Sequence, residues 1–417
     1  MTMTRAQAPL SSLIYLSLFL IFAIGGFFRQ AYAVGMGLLL FTTLYGMIRY
    51  RSEIDFKTEK TLVYVFLTYV FISVCINIIG GHPGRDYELV VRVLLTIPII
   101  YLFLLVGLRL QWLMLIFGMS GILIGIDALY GHFILGLDRV GFFPVRHGYV
   151  AAWFAVTSLV SLVFLPKNIP HRGMTRAVLC LGIVGGLIAS VLTDTRGSWL
   201  FFIVACCLLA VYSCFYTRGR ARILLLSILT SCFVAMVLIG VTDNPISQRV
   251  GHAVAEVQTY KSNDPSAGTS LGMRLELLRL SVEIIHEHPV LGIGSDDFRG
   301  KIAQFVQEGK AFPYMTSLTH IHNDFVDKAV KTGLVSAIAM MLCLCLYPFI
   351  FFLKRIRHPH QDVRYYALMG SLLVIAWVEF GMTNIFLTTN QGAIYYLVSL
   401  AIFWTGIRRV EKGASTG

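Results

Sequence analysis

The sequence predicts an all-α polytopic membrane protein of about twelve transmembrane helices with one large extramembrane loop. Three observations predict it. The 417 residues are 57% hydrophobic and only 13% charged, where soluble domains carry about 25% charged residues. Apolar stretches of spanning length recur along the chain. The basic residues cluster in alternate connections between those stretches, which puts the clusters on one side.

The stretches fall at roughly 10–28, 31–48, 61–79, 89–108, 111–131, 148–165, 177–194, 198–216, 223–241, 323–353, 365–384 and 391–408. Each is near or above the ~20 residues a helix needs to cross about 30 Å of hydrocarbon. The tenth is too long to be all membrane and is expected to begin above it. Ala31-Tyr32-Ala33 resembles a signal-peptidase site. However, the run before it is long for a signal segment, Arg5 is its only preceding base, and Arg29 interrupts its end, so it is read as a retained helix.

Basic clusters at Arg49/Arg51, Lys167/Arg172/Arg176, Arg218/Arg220/Arg222, Lys354/Arg355/Arg357 and Arg408/Arg409/Lys412 all fall on one side when the N-terminus is cytoplasmic. Both termini are then cytoplasmic. Much of the +12 net charge is topological, and no nucleic-acid partner is implied. The chain divides into residues 1–241 with the first nine helices, an outer loop 242–322, and 323–417 with the last three helices and a cytoplasmic tail.

In the loop, Leu271, Leu275, Leu278, Val282 and Ile285 recur at helical spacing with charges between them, which predicts an amphipathic helix. HPVLGIGSDDF (288–298) breaks it, and KSNDPSAGTS (261–270) reads as a flexible connection. The eight cysteines all lie in or beside apolar runs; they read as packing residues, with no disulfide framework and no CxxC knuckle.

Ionisable groups inside spans are costly and therefore functional candidates. Arg92, Asp127 and Glu379 all fall near outer span ends. Arg146-His147, Asp194-Thr195-Arg196 and TNIFLTTNQ (383–391) lie in outer connections. Together they suggest an outward-facing polar basin roofed by the loop. The structural alternative pairs Arg92 with Asp127 or Glu379 to hold the bundle. Gly197 would let a ligand approach the backbone where the next helix offers free N–H groups for an anion.

SLTHIHNDFVDKAVKTGL (317–334) enters the tenth span with His320, His322, Asn323 and Asp324. Asn and Asp there are good helix N-caps. His320-x-His322 with Asp324, or His286-x-His288, has zinc-ligand types, but the outer segments hold no D-x-D motif of the sort that carries a metal on a diphosphate. No metal or cofactor is expected.

HPVLGIGSDDF, followed by His322-Asn323, nine residues and Gly333, resembles the O-antigen ligase and polymerase superfamily. TDTRGSW (193–199) and MRLELLRLS (273–281) resemble that family's two arginine-bearing motifs. The resemblance covers roughly residues 180–355. It implies an inverting-type glycosyltransferase of the GT-C kind in a Gram-negative inner membrane, with its active site at the periplasmic face. Such ligases move a glycan from undecaprenyl diphosphate to a sugar hydroxyl of the lipid A core. His322 would match the essential histidine, and Arg196 and Arg274 the essential arginines; His320 is not part of the pattern. Arg146, His147, Gly197, Arg92 and Glu379 are further donor-binding candidates.

The residue types suit that chemistry. A diphosphate leaving group needs its charge held, and guanidinium grips phosphate bidentately. The incoming hydroxyl needs a base, and neutral histidine is one. Competing readings are an O-antigen polymerase, a transferase with a protein acceptor such as pilin, or a lipid or polysaccharide transporter. The one-sided charges, the single large loop and the absence of an internal repeat favour an enzyme over a transporter.

Overall fold

The computed structural model describes residues 8–28, 30–56, 59–141, 143–216, 219 and 270–415. The expected ninth span (223–241) and the loop up to residue 269 lie outside the described residues. Every other expected span coincides with a helix. The chain is all-helical, with no strand among the described residues, and eight of the described helices are long and apolar enough to cross a membrane.

In chain order the helices are α1 (Ala8–Leu18, continued by a π-helical turn Phe19–Ile24), α2 (Ala31–Arg49), α3 (Lys60–Ile79), α4 (Glu88–Val106), α5 (Leu110–Phe133), α6 (Pro144–Val163), α7 (Arg172–Leu192) and α8 (Arg196–Tyr216). After the gap come α9 (Ser270–Glu287), α10 (Gly294–Gln307), α11 (Asp324–Met340, continued by a π-helical turn Met341–Leu346), α12 (Tyr347–Leu353), α13 (Gln361–Thr383) and α14 (Asn390–Ser415).

Helices in lipid gain little from burying apolar surface against one another, so close backbone packing has to hold them. The α5–α7 pair does this with glycine. A Cβ on Gly121 would lie 2.3 Å from the Gly182 carbonyl oxygen, and one on Gly125 would lie 2.5 Å from the Gly185 Cα.

The connections gather at two ends of the bundle. At one end, the buried Glu59 accepts from Trp404 Nε1 (2.8 Å) and Arg408 Nε (2.7 Å), and Arg355 pairs with Glu411 at 2.7 Å. These belong to the basic connections expected on the cytoplasmic side. At the other end, Arg139 donates to the carbonyls of Thr193 (3.2 Å) and Asp194 (3.3 Å), closing the C-terminus of α7. Arg92 joins Asn390, and Asp86 accepts from the Ser295 amide (3.0 Å) and hydroxyl. The 3-10 turn at Gly84–Tyr87 thereby anchors the loop's α10 to the bundle.

The described part of the loop has its own core: Leu277, Leu280, Ile284, Phe298, Ile302, Phe305, Met315 and Ile321 pack with Val330 of α11. The amphipathic helix exists as α9, but its buried stripe is Leu277, Leu280 and Ile284 rather than the one expected; Val282 is 69% exposed. The periodicity allowed two adjacent apolar faces, and packing against α10 selected one of them.

The tenth span is not one continuous helix. α11 breaks at Thr332 (φ −129°) and Gly333 (φ 78°). The break is where the HPVLGIG turn docks: Leu334 N–H donates to the Pro289 carbonyl (2.8 Å), and Ile293 N–H donates to the Val330 carbonyl (3.0 Å). A Cβ on Gly333 would sit 1.8 Å from the Val290 carbonyl oxygen. Only glycine meets both the left-handed φ and that approach. The helical segment carrying the entry motif is thus set off from the apolar helix below it.

Candidate active site

The site forms where the start of α11, the 384–389 connection, the N-terminus of α8 and the loop helix α9 meet. Asn323 caps α11: its Oδ1 accepts from the amides of Phe325 (3.0 Å) and Val326 (3.1 Å), the N-cap role its residue type predicts. Asp324 does something else. Its wholly buried carboxylate accepts from the amides of Phe386 (2.8 Å), Leu387 (2.7 Å) and Thr388 (3.0 Å), and from the Thr388 hydroxyl. A buried carboxylate needs such compensation, and here it ties the α13–α14 connection to the entry of α11.

That connection carries Asn384, whose Oδ1 lies 3.0 Å from His322 Nδ1. The same oxygen accepts from the Ile385 amide at 2.8 Å. An amide N–H can only donate, so the atom is the carbonyl oxygen and His322 Nδ1 must be the donor. The proton therefore sits on Nδ1, and Nε2 is left with a free lone pair. His322 has φ 41°, an uncommon left-handed conformation imposed immediately before the capped helix.

Burial pushes the His322 pKa below the usual value. The Asn384 bond pushes it back up, and the charges of Arg274 and Asp327 act in opposite senses. The ring is neutral at neutral pH. The His320 ring lies 4.7 Å away, tilted edge-on, and burial followed by the His322 charge lowers its pKa to about 4. Its Nδ1 lies 2.9 Å from the Thr319 hydroxyl, so the two histidines do not share a partner. Asp327 accepts from the Ile321 amide (3.0 Å) and Lys331 Nζ (2.8 Å), bracing the segment on its other side.

Arg274, on α9, is near enough for its charge to act on both His322 and the Tyr149 hydroxyl. Its neighbour Glu276 is wholly buried and paired with Arg279 at 2.5 Å. The side chain of Arg196 lies outside what the structure describes, but its backbone opens α8. A Cβ on the next residue, Gly197, would lie 2.9 Å from both Thr383 Oγ1 and Tyr149 Cε1. The closeness expected of Gly197 is thus used by protein atoms. Tyr149 OH lies 2.7 Å from Thr383 Oγ1, and its ring stacks on Phe380 at 4.3 Å. The start of α8 thus packs on Tyr149 and Thr383, next to the Asn384 that holds His322, and the charge of Arg274 reaches both His322 and Tyr149.

The other candidates divide. Arg92 pairs with Glu88 at 2.6 Å and with Asn390, not with Asp127 or Glu379 as the structural alternative had it. Asp127 faces His147 Nε2 at 3.6 Å, and the His147 side chain is 5% exposed. Arg146 sits with its guanidinium over the Phe143 ring, 4.8 Å from the centroid. Both carboxylate oxygens of Glu379 are buried without a hydrogen-bond partner among the described residues. Among the described residues no group of three or more His, Cys, Asp or Glu is placed to hold a metal ion. Sequence reasoning missed Asn384 and the anchoring role of Asp324. The only signal was the polar run 383–391, which did not say which of its residues would meet a histidine 62 positions earlier.

Over 376 residues, 88% of this chain and 90% of the relative, the protein is 27% identical to a Haemophilus influenzae protein described only as uncharacterized. Residues 181–341, the span containing Arg196, Arg274 and His322, match the family model described as O-Antigen ligase, so this part of the multi-pass chain is similar to the O-antigen ligase/polymerase superfamily.

Proposed function

We propose that the protein is an O-antigen ligase of the GT-C kind. On this reading it has twelve spans in a Gram-negative inner membrane. It transfers O-antigen glycan from undecaprenyl diphosphate to a sugar hydroxyl of lipid A-core at the periplasmic face. The observation that carries the reading is His322, with its proton held on Nδ1 by Asn384 and Nε2 open, beside the positive charge of Arg274.

Nε2 takes the proton of the acceptor hydroxyl as its oxygen attacks the anomeric carbon. The bond from that carbon to the phosphate oxygen breaks, inverting the centre, and undecaprenyl diphosphate leaves. Arg196 and Arg274 hold its developing charge, assisted by the N-terminus of α8. Two guanidinium groups roughly match the diphosphate charge, so no metal is required. The membrane entry is a fitting place because one end of the donor is buried lipid and the other a hydrated glycan. The distribution of basic clusters supports the same orientation.

The test is what a strain lacking the protein accumulates. Intact lipid-linked polymer supports the ligase, and single lipid-linked repeats point to a polymerase of the same superfamily. Restoration by a His322→Ala variant would refute the proposed base.

A further inference from the structure

A cavity of about 360 Å3 opens at the same end of the bundle, between the α1–α2 connection, the start of α6 and the start of α14. Its volume falls in the range of small-molecule sites, about 300–1,000 Å3. Phe27, Tyr32 and Phe143 line it, with Phe27 38% and Phe143 43% exposed, as does Arg146, whose guanidinium lies over the Phe143 ring. Thr388, Asn390 and Gln391 add polar groups to the lining.

The two amides there have dictated orientations. Arg92 can only donate, so the Asn390 atom it meets is Oδ1, which leaves the Asn390 Nδ2 donor for the cavity. The Gly25 carbonyl can only accept, so Gln391 turns Nε2 to it at 3.0 Å, and the same side chain also meets the Tyr395 hydroxyl. Adjacent amide side chains, one with an Nδ2 donor to spare, thus line the same cavity as the exposed rings of Phe27 and Phe143. A sugar ring fits this pattern. Its apolar face stacks on an aromatic ring, while a vicinal diol or an acetamido group both gives and receives a hydrogen bond.

The connection that carries Thr388 also carries Asn384, the residue that holds His322. On the function proposed above, the geometry points to this cavity as the subsite that seats a sugar ring of one lipid-linked substrate next to the reacting centre, with Asn390 and Gln391 reading its substituents. The ring comes from the donor glycan or from the acceptor core.

Binding without turnover tests it. Full-length His322→Ala protein in nanodiscs is mixed with delipidated O-polysaccharide in one arm and core oligosaccharide in the other, and saturation-transfer NMR is recorded. Ring protons of one oligosaccharide should be saturated, and that arm names the source. Asn390→Asp keeps an acceptor for Arg92 but removes the donor, and should weaken binding about two- to thirteenfold, the worth of one hydrogen bond. Gly26→Leu should weaken it at least as much. Gly26 lines the cavity, and a Cβ there makes only ordinary contacts of 3.5–3.7 Å with the Phe22 and Ala23 carbonyls and Ile124 Cδ1. No saturation in either arm, or equal saturation in both variants, would overturn the subsite. Glycan transfer by the His322→Ala protein would instead sink the proposed base and leave the binding result standing.

Discussion

Asn384 gives the sharpest test of the site because two substitutions move one observable in opposite directions. The wild-type acid limb of kcat should lie below the ordinary histidine pKa of about 6.5, because burial is the largest influence on His322. Activity is present above that limb and lost as pH falls through it. Asn384→Ala removes a 3.0 Å hydrogen bond that favours the protonated ring, so the limb should move further down. The same bond fixes the Nδ1–H tautomer. A neutral hydrogen bond contributes about 0.5–1.5 kcal/mol, and 1.36 kcal/mol is tenfold in rate, so kcat at its plateau should fall about two- to thirteenfold. That is far less than the 10²–10⁴ typical of losing a general base, the range expected for His322→Ala. Asn384→Asp puts a carboxylate where the amide oxygen was, so the limb should move up.

The groups facing His322 are Asn384, Arg274, Asp327 and His320, and burial lowers the His320 pKa to about 4. His320→Ala should therefore leave the limb almost in place. The assay is glycan transfer by purified protein between pH 4.5 and 8, roughly two units either side of the histidine range. A fall in kcat with the limb unmoved in both Asn384 variants would mean that Asn384 serves only to build the connection.

Arg196→Lys and Arg274→Lys should lose most transfer activity yet exceed the alanine variants, since lysine supplies charge without the bidentate fork; purified protein should keep full activity in excess EDTA, and loss restored by Mg²⁺ or Mn²⁺ would count against the two-arginine account. Gly333→Ala should lower the melting temperature in detergent by the equivalent of about 1–3 kcal/mol or more, because its Cβ would overlap the Val290 carbonyl; an unchanged melting temperature would mean that the HPVLGIG turn is not docked there. A cysteine replacing the exposed Gly300 should react with an impermeant thiol reagent added to intact spheroplasts, and one replacing the exposed Arg357 should not; the reverse pattern would place the site on the wrong side.

The sequence by itself determined what depends on composition, period and local side-chain chemistry. Apolar runs of spanning length form helices wherever the chain is described, because backbone groups in lipid must be satisfied within a helix. Asn323 caps α11 because a short polar side chain reaches the amides two and three residues on. The span beginning at 323 was legible as too long for the bilayer, and it breaks at Thr332–Gly333.

Only the tertiary structure decided the contacts between distant positions. It chose Leu277, Leu280 and Ile284 over the neighbouring stripe that ends in exposed Val282, since an amphipathic pattern gives a face but not what covers it. It paired Arg92 with Glu88 and Asn390 rather than with Asp127 or Glu379. It turned Asp324 from an apparent cap into the acceptor for three amides of a connection more than 60 residues away. Most consequential for the chemistry, it set Asn384 against His322 Nδ1. A histidine's residue type offers a base at neutral pH, but which nitrogen carries the lone pair is decided by what the other nitrogen meets in space.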